Sequence, residues 1–464
     1  MTTRHHARWV LPISAPPIAD ATVVARDGRI TWVGPRAEAP RSEGDEEIEL
    51  GDALLLPGLV NAHCHLELTA MRGFLDGLDF RSWILRLTHA RRAVLDHAAL
   101  LDSARLGVEE GLRAGITTFA DTGDSGTGFD AMLERGVRGI CYREVFGPDP
   151  AQCAEAIAGL RERFLGMRAR ETSLVRAGVS PHAPYTVSDE LFRATAALSR
   201  ELHAPIAVHV AESALESALV TEGAGAFADG LRARGIDAGP RGRSPIALLD
   251  ALGVLGADPL LIHCVRVDDA DVRAIAAHRC AVAHCPASNA RLAHGIAPLA
   301  ALLAAGVDVG LGSDSVASND RMDLLDEARL ALLLATVREQ RVGALTASDA
   351  LALATLGGAR ALRMDAEIGS LDVGKSADLA AFPLGASARA PTHDPVSAAV
   401  LALAGTPASF VAVAGRTLVR DGAPVDADHG LAARVQRSAD RLRAWLATPD
   451  GARAATSMAP TPGR

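Results

Sequence analysis

Between residues 54 and 313, eight short apolar runs recur, separated by longer amphipathic stretches, and this rhythm restricts the fold more than any other feature of the chain. The runs are Leu54 to Ala62, Ile116 to Asp121, Gly139 to Phe146, Val175 to Pro181, Ile206 to Val210, Leu260 to Cys264, Ala281 to Cys285, and Val307 to Ser313. Between them, segments such as Asp102 to Arg113, Ala151 to Arg168 and Ser188 to His203 repeat apolar residues near a 3.6-residue period. Buried strands that alternate with amphipathic helices build a parallel sheet, and eight such units close into a (β/α)8 TIM barrel. Chemistry in that fold stands at the C-terminal ends of the strands. His63 and His65 follow the first run, His182 the fourth, His209 the fifth, His263 the sixth and Asp314 the eighth.

The flanking sequence has a different grain. Ile18 to Ala25, Arg29 to Val33, Asp378 to Phe382 and Phe410 to Ala414 are short β runs punctuated by Gly and Pro, so both ends of the chain are expected to pair into one small β-sandwich domain. The expected boundaries are 1–55 and 366–428 for that domain, 56–365 for the barrel, and 429–464 for a helix over Gly430 to Leu446 with a disordered tail rich in Pro, Gly, Ala and Ser. Two connections exceed the barrel's rhythm, 67–101, which carries Phe74, Phe80 and Trp83, and 213–259. Long loops at that face shape or cover a substrate site, or else serve as helical decoration.

Bulk properties exclude several classes of function. A chain of 464 residues with a formal net charge of -9 offers no basic surface for nucleic acid. Its start, Met1 to Val10, lacks the apolar core of a secretory signal, and no stretch reaches about 18 uninterrupted apolar residues, so a cytoplasmic protein without a membrane partner is expected. The six cysteines show no paired spacing and read as reduced core thiols. Lys375 is the one lysine.

His63-Cys64-His65 places two imidazoles on the same side of an extended segment. Alone, such a pair is more often a hydrogen-bonded turn than a metal site. With His209, His263 and Asp314 at other strand ends, the set offers imidazole and carboxylate donors that suit Zn²⁺ or Fe²⁺ and leave a position for water. Read from the residues alone, His263 stays open as a further ligand.

The ordered motifs Pro57-Gly58-Leu59-Val60-Asn61-Ala62-His63-Cys64-His65, Ser180-Pro181-His182-Ala183-Pro184-Tyr185, His209-Val210-Ala211-Glu212, His284-Cys285-Pro286-Ala287-Ser288-Asn289, Gly312-Ser313-Asp314-Ser315 and Gly374-Lys375-Ser376-Ala377-Asp378-Leu379 resemble those of the amidohydrolase superfamily. The resemblance covers nearly the whole chain and is strongest to the mononuclear branch of aminohydrolases and chlorohydrolases. It implies one divalent ion, Zn²⁺ in preference to Fe²⁺, on His63, His65, His209 and Asp314. It implies that Glu212 protonates the ring nitrogen of a heteroaromatic substrate while Asp314 and His263 take the proton of the attacking water. Binuclear relatives bridge two ions through a carboxylated lysine near strand four, where this chain reads Val175-Arg176-Ala177-Gly178-Val179-Ser180-Pro181-His182. A glutamate is the one replacement left open.

The resemblance also orders the substrates. Glu67 after His65-Leu66, the stretch Phe80-Arg81-Ser82-Trp83 and Arg143-Glu144-Val145-Phe146-Gly147 are similar to aminodeoxyfutalosine deaminases of a route to menaquinone. Deaminases of S-adenosylhomocysteine, 5′-methylthioadenosine or adenosine stand close behind, and chlorohydrolases and guanine or cytosine deaminases further away. His182, Glu67, Trp83, Arg143 and Ser315 are the expected substrate contacts. Arg72, Arg143 or Arg291 could pair with a substrate carboxylate. His284 is expected near the pocket without ligating, and His5, His6, His89, His97, His203, His278, His294, His393 and His429 show no partner pattern, most being expected at the surface or in packing. Small-molecule substrate and water are the expected partners, with a homodimer by analogy. The opposing reading is a barrel that has lost its metal and only binds ligands.

Overall fold

The computed structural model describes residues 2–385 and 390–451. Its centre holds eight parallel strands in two four-stranded sets. Strands one to four are Leu59–Cys64, Ile116–Gly123, Arg138–Val145 and Val175–Pro181. Strands five to eight are Ala207–Val210, Leu260–His263, Ala281–His284 and Val309–Leu311. Parallel bridges at Val179–Ile206 and Cys64–Asp314 join the sets at both seams and complete the barrel. The second seam demands small residues: a Cβ on Gly310 would lie 2.7 Å from Gly358 Cα and 2.9 Å from Ala62 Cβ.

The helices form where the amphipathic stretches stand, and their ends have local causes. Asp96 caps His97–Arg113, and Ser188 caps Asp189–Leu202, which His203 terminates in the left-handed conformation. Both long connections are helical: residues 67–101 contain Phe80–Val94, and residues 213–259 contain Ala214–Glu222, Gly225–Arg232 and Pro245–Ala251. They meet over the barrel mouth, where the rings of Phe80, Tyr185 and Phe227 pack at centroid distances of 4.5–6.2 Å.

The first apolar run divides where the sequence suggested one strand. Ala53–Pro57 belongs to the small domain, and the barrel begins at Leu59. Pro57 has no N–H to continue a ladder, and Gly58 turns the chain against Thr117, whose Oγ1 a Cβ there would approach to 2.1 Å. The small domain is one continuous nine-stranded sheet built from residues 2–57 and 379–424. Alternation gives it two working faces: Leu55, Leu379 and Ala381 enter its own core, while Leu54, Leu56, Ala380 and Phe382 join the core shared with the barrel. Leu431–Leu446 forms a C-terminal helix held by Arg434 on Asp102 (2.7 Å) and by Leu442 packed with Leu68 and Met71. The expected disordered tail from residue 452 onward lies outside the described residues. Among the described residues no helix is long and apolar enough to cross a membrane.

One buried ion pair fastens the two domains. Arg138, at the start of strand three, donates from Nε to Asp378 Oδ2 (2.8 Å) and from Nη2 to Ser376 Oγ (2.9 Å). Arg138 and Asp378 are both buried. Removing one partner leaves the other charge in a dry site, so Arg138→Met should lower stability by about 3–5 kcal/mol. Denaturant unfolding measures this, and an unchanged midpoint would show that the pair does not fasten the interface.

Candidate metal centre and active site

Strand one delivers His63 and His65 to the same side, and the other strand ends bring their partners within reach. His63, His65 and His209 can present one donor atom each within 4.8 Å of one another, as can His63, His263 and Asp314. Asp314 Oδ1 lies 3.1 Å from His63 Nε2 and 3.4 Å from His65 Nε2. Strand eight passes so closely that a Cβ on Gly312 would meet His63 Cβ at 2.9 Å.

The remaining ring nitrogens decide how these groups can act. His65 Nδ1 donates to Thr122 O (2.9 Å) and His209 Nδ1 to His182 O (3.2 Å), so each keeps its Nε2 lone pair for the centre. His209 Nε2 is buried with no hydrogen-bond partner among the described residues. Burial pushes the imidazoles down, His63 to about 4 and His65 and His209 also below the ordinary value, so all three are neutral at pH 7. Burial alone would raise the Asp314 carboxyl, but His63 and the surrounding imidazoles hold it well below its usual range. Ser318 Oγ (3.2 Å) and Ser288 Oγ donate to Asp314 Oδ2 and leave Oδ1 facing the histidines. Three neutral imidazoles and one carboxylate, with a buried unpartnered nitrogen among them, fit a divalent ion with a place for water. A further trio, Glu144, His182 and His209, would need His209 Nδ1, which the His182 carbonyl already occupies if Nε2 serves the first set.

Strained backbone accompanies these residues. Ala211 (φ 53°), His263 (φ 77°) and Asp314 (φ 54°) are left-handed at the ends of strands five, six and eight. Such conformations cost on the order of 1 kcal/mol or more each and persist at sites that the surrounding structure over-determines.

Glu212 follows Ala211 and is not a helix cap, because Ser213 caps Ala214–Glu222. The buried Glu216 carboxyl accepts the amides of Ala211 and Glu212, both at 2.8 Å, and fixes the turn; burial pushes Glu216 up to about 8. Glu212 Oε1 lies 3.5 Å from His263 Nε2 and 3.2 Å from His294 Nε2. Against burial, which pushes it up, these imidazoles hold the Glu212 carboxyl below its usual value. His263 is oriented by Asn289 Oδ1 at 3.0 Å from its Nδ1.

The other expected contacts occupy varied positions. The His182 ring lies 4.8 Å from both His209 and Phe146, its Nδ1 2.7 Å from Thr186 Oγ1, and burial lowers it to about 3. Glu67 is engaged through both oxygens, by Arg91 (2.6 Å) and by Ser125. Trp83 Nε1 donates to Ala317 O (3.3 Å), and Ser315 caps the turn Val316–Asn319. Arg72 pairs with Glu110 and Arg291 with Asp76 (2.9 Å), whereas Arg143 has no ion pair among the described residues and lies against Gly126. His284 is buried, which lowers it to about 4.

His294 corrects the sequence reading. Expected at the surface or in packing, it is buried and touches the Glu212 carboxylate. Its only local sign is its place just beyond the short helix Pro286–Arg291 that leaves strand seven. Glu216, Ser288, Ser318 and Asn289 also act at the site without having been singled out for such roles.

Comparisons with known proteins agree with this geometry. The sequence profile of the amidohydrolase family matches residues 54–416. The chain is similar to a 5-methylthioadenosine/S-adenosylhomocysteine deaminase of Moorella thermoacetica, 32% identical over 420 residues that cover 89% of this chain and 93% of the relative. It superposes on the crystal structure of an adenosine deaminase from Xanthomonas campestris with bound zinc (TM-score 0.83, 30% identity, 95% of this chain and 98% of that one). It also superposes on an atrazine chlorohydrolase from Arthrobacter aurescens complexed with zinc (TM-score 0.81, 26% identity, 95% and 100%).

Proposed function

Because the chain belongs to the amidohydrolase family, we propose that it is a metal-dependent aminohydrolase that replaces the 6-amino group of an adenosine-like nucleoside by oxygen and releases ammonia. The observation that carries this is the meeting of the His63, His65, His209 and Asp314 donors with a buried Glu212 held between two imidazoles. Those four residues would hold the ion, with Zn²⁺ favoured over Fe²⁺ by the zinc in both structural neighbours. When bound, the ion supplies a polarised water whose pKa falls toward about 7.

The protein's own groups account for the protons. Asp314 and His263 take the two protons of the attacking water. One is handed on by Asp314 to the amino group as it leaves as ammonia; the other passes by way of His263 to the neighbouring Glu212 carboxylate, which delivers it to the ring nitrogen beside the attacked carbon. Protonation there makes the amino group a feasible leaving group, which a chloride would not need. Glu212 therefore favours deamination over the chlorohydrolase reading. His182, its ring between those of Phe146 and His209, would contact the substrate ring in this reading.

Within this class we infer a nucleoside with a carboxylate on its 5′ side, which covers S-adenosylhomocysteine and aminodeoxyfutalosine. Arg143 supports the inference: it stands on strand three with no ion pair among the described residues, Asp124 and Glu67 acting on it only at longer range, and a fork of this kind matches a carboxylate. Glu67, Trp83 and Ser315 then serve the walls of the site. A cytoplasmic location and participation in menaquinone synthesis belong to this reading.

Ammonia release should be measured on adenosine, 5′-methylthioadenosine, S-adenosylhomocysteine and aminodeoxyfutalosine. The carboxylate-bearing nucleosides should show kcat/KM at least about tenfold above adenosine, as one charge-assisted contact provides, and Arg143→Met should erase the difference. Turnover of chlorinated triazines with every aminopurine inert would sink the deaminase reading.

A further inference from the structure

We propose that His294 is a positioning residue for Glu212, through which the aromatic cover over the barrel mouth is tied to the proton-donating carboxyl; this rests on the deaminase reading above. One oxygen, Glu212 Oε1, is shared by His263 Nε2 at 3.5 Å and His294 Nε2 at 3.2 Å. His294 Nε2 is buried and makes no regular hydrogen bond among the described residues, although Oε1 lies 3.2 Å away. Catalytic contacts often have this loose form before substrate arrives. The carboxylate thus sits in a clamp with an imidazole on each side.

Both jaws of the clamp are set by one short segment. Asn289 orients His263 through its side chain (3.0 Å), and its carbonyl accepts the His294 amide (2.9 Å). The His294 ring meets Phe80 edge-on, with centroids 4.4 Å apart at 82°. Phe80 opens the helix of the first long connection and packs on Tyr185 and Phe227, the latter from the second. A shift of that cover therefore moves a ring in contact with His294, and His294 moves with the carboxyl. His294 is not among the proposed ligands and passes no proton in this scheme; its contacts are Glu212, Phe80 and Asn289. Its task is to keep Glu212 beside His263 while the cover settles on a substrate.

The full-length, zinc-loaded protein tests this with two replacements. His294→Phe keeps a ring against Phe80 and removes the polar contact, whereas His294→Gln can place an amide N–H near the position of Nε2. The first should lower kcat about 10–100-fold with KM changed less than about threefold, and the second should restore kcat to within about threefold of the parent. In a Glu212→Gln background His294→Phe should cause no further loss, since the two act as a unit. A crystal structure of the Phe variant should show the Glu212 carboxyl displaced from His263. Parental kcat in the Phe variant, the same fold-loss in both backgrounds, or an unmoved Glu212 would each overturn the proposal. Should the Phe variant not fold, Gln against Asn decides the question, because Asn reaches only the Nδ1 position and should be impaired where Gln is not. If the parent protein turns over no aminopurine, the deaminase reading fails, while the position of Glu212 in the variant crystal still decides the role of His294.

Discussion

Glu212→Gln should lower kcat by about 10²–10⁴-fold while KM and bound metal stay near their parental values. The change is isosteric, so the turn that Glu216 holds through the Ala211 and Glu212 amides survives, and so does the contact surface toward His263 and His294. What disappears is the capacity to carry a proton between the water side of the site and the ring nitrogen. Glu212 is not among the proposed ligands, so metal analysis of the same sample separates loss of a proton carrier from loss of the ion. Parental kcat in this variant would remove Glu212 from the chemistry and return the choice to hydrolysis of a better leaving group.

Removing the ion should abolish turnover and soften the fold together. His63, His65 and His209 are kept neutral by burial, so they bind a cation at pH 7 without first losing protons. A chelator-treated sample should lose more than about 10⁴-fold in rate, since water near neutrality then lacks its activator. Zn²⁺ should restore it. An ion present at 100–1,000 times its dissociation constant stabilises the folded state by about 2.7–4.1 kcal/mol, and the thermal midpoint should fall on chelation by the corresponding amount. His209→Ala should reproduce both effects, because it deletes a ligand whose Nε2 has no hydrogen-bond partner among the described residues. Full activity in verified metal-free protein would contradict the metal-dependent reading.

The barrel was legible in the sequence because its strands are buried on both faces and stand out as apolar runs between helical periods. The strand-end histidines were legible because their positions follow from that periodicity. Gly58 hid a boundary: Leu54, Leu55, Leu56, Leu59 and Val60 are equally apolar although they serve two sheets. His294 was illegible for a different reason. Its partner Glu212 lies on another strand's loop, and its other neighbour Phe80 on a third, so nothing near it in the chain marks the meeting. Glu67 showed the reverse effect, since its place after the His-x-His pair suggested substrate, yet Arg91 and Ser125 engage both of its oxygens.

The division of the central sheet into strands one to four and five to eight has a consequence for how the enzyme comes into being. Two of the proposed ligands, His63 and His65, ride on the first half, and two, His209 and Asp314, on the second. Neither half-barrel, made separately, owns more than half of the coordination sphere. Tight ion capture is therefore a signal of completed assembly, and the newly made chain acquires its catalyst only when the last strand has come round to meet the first.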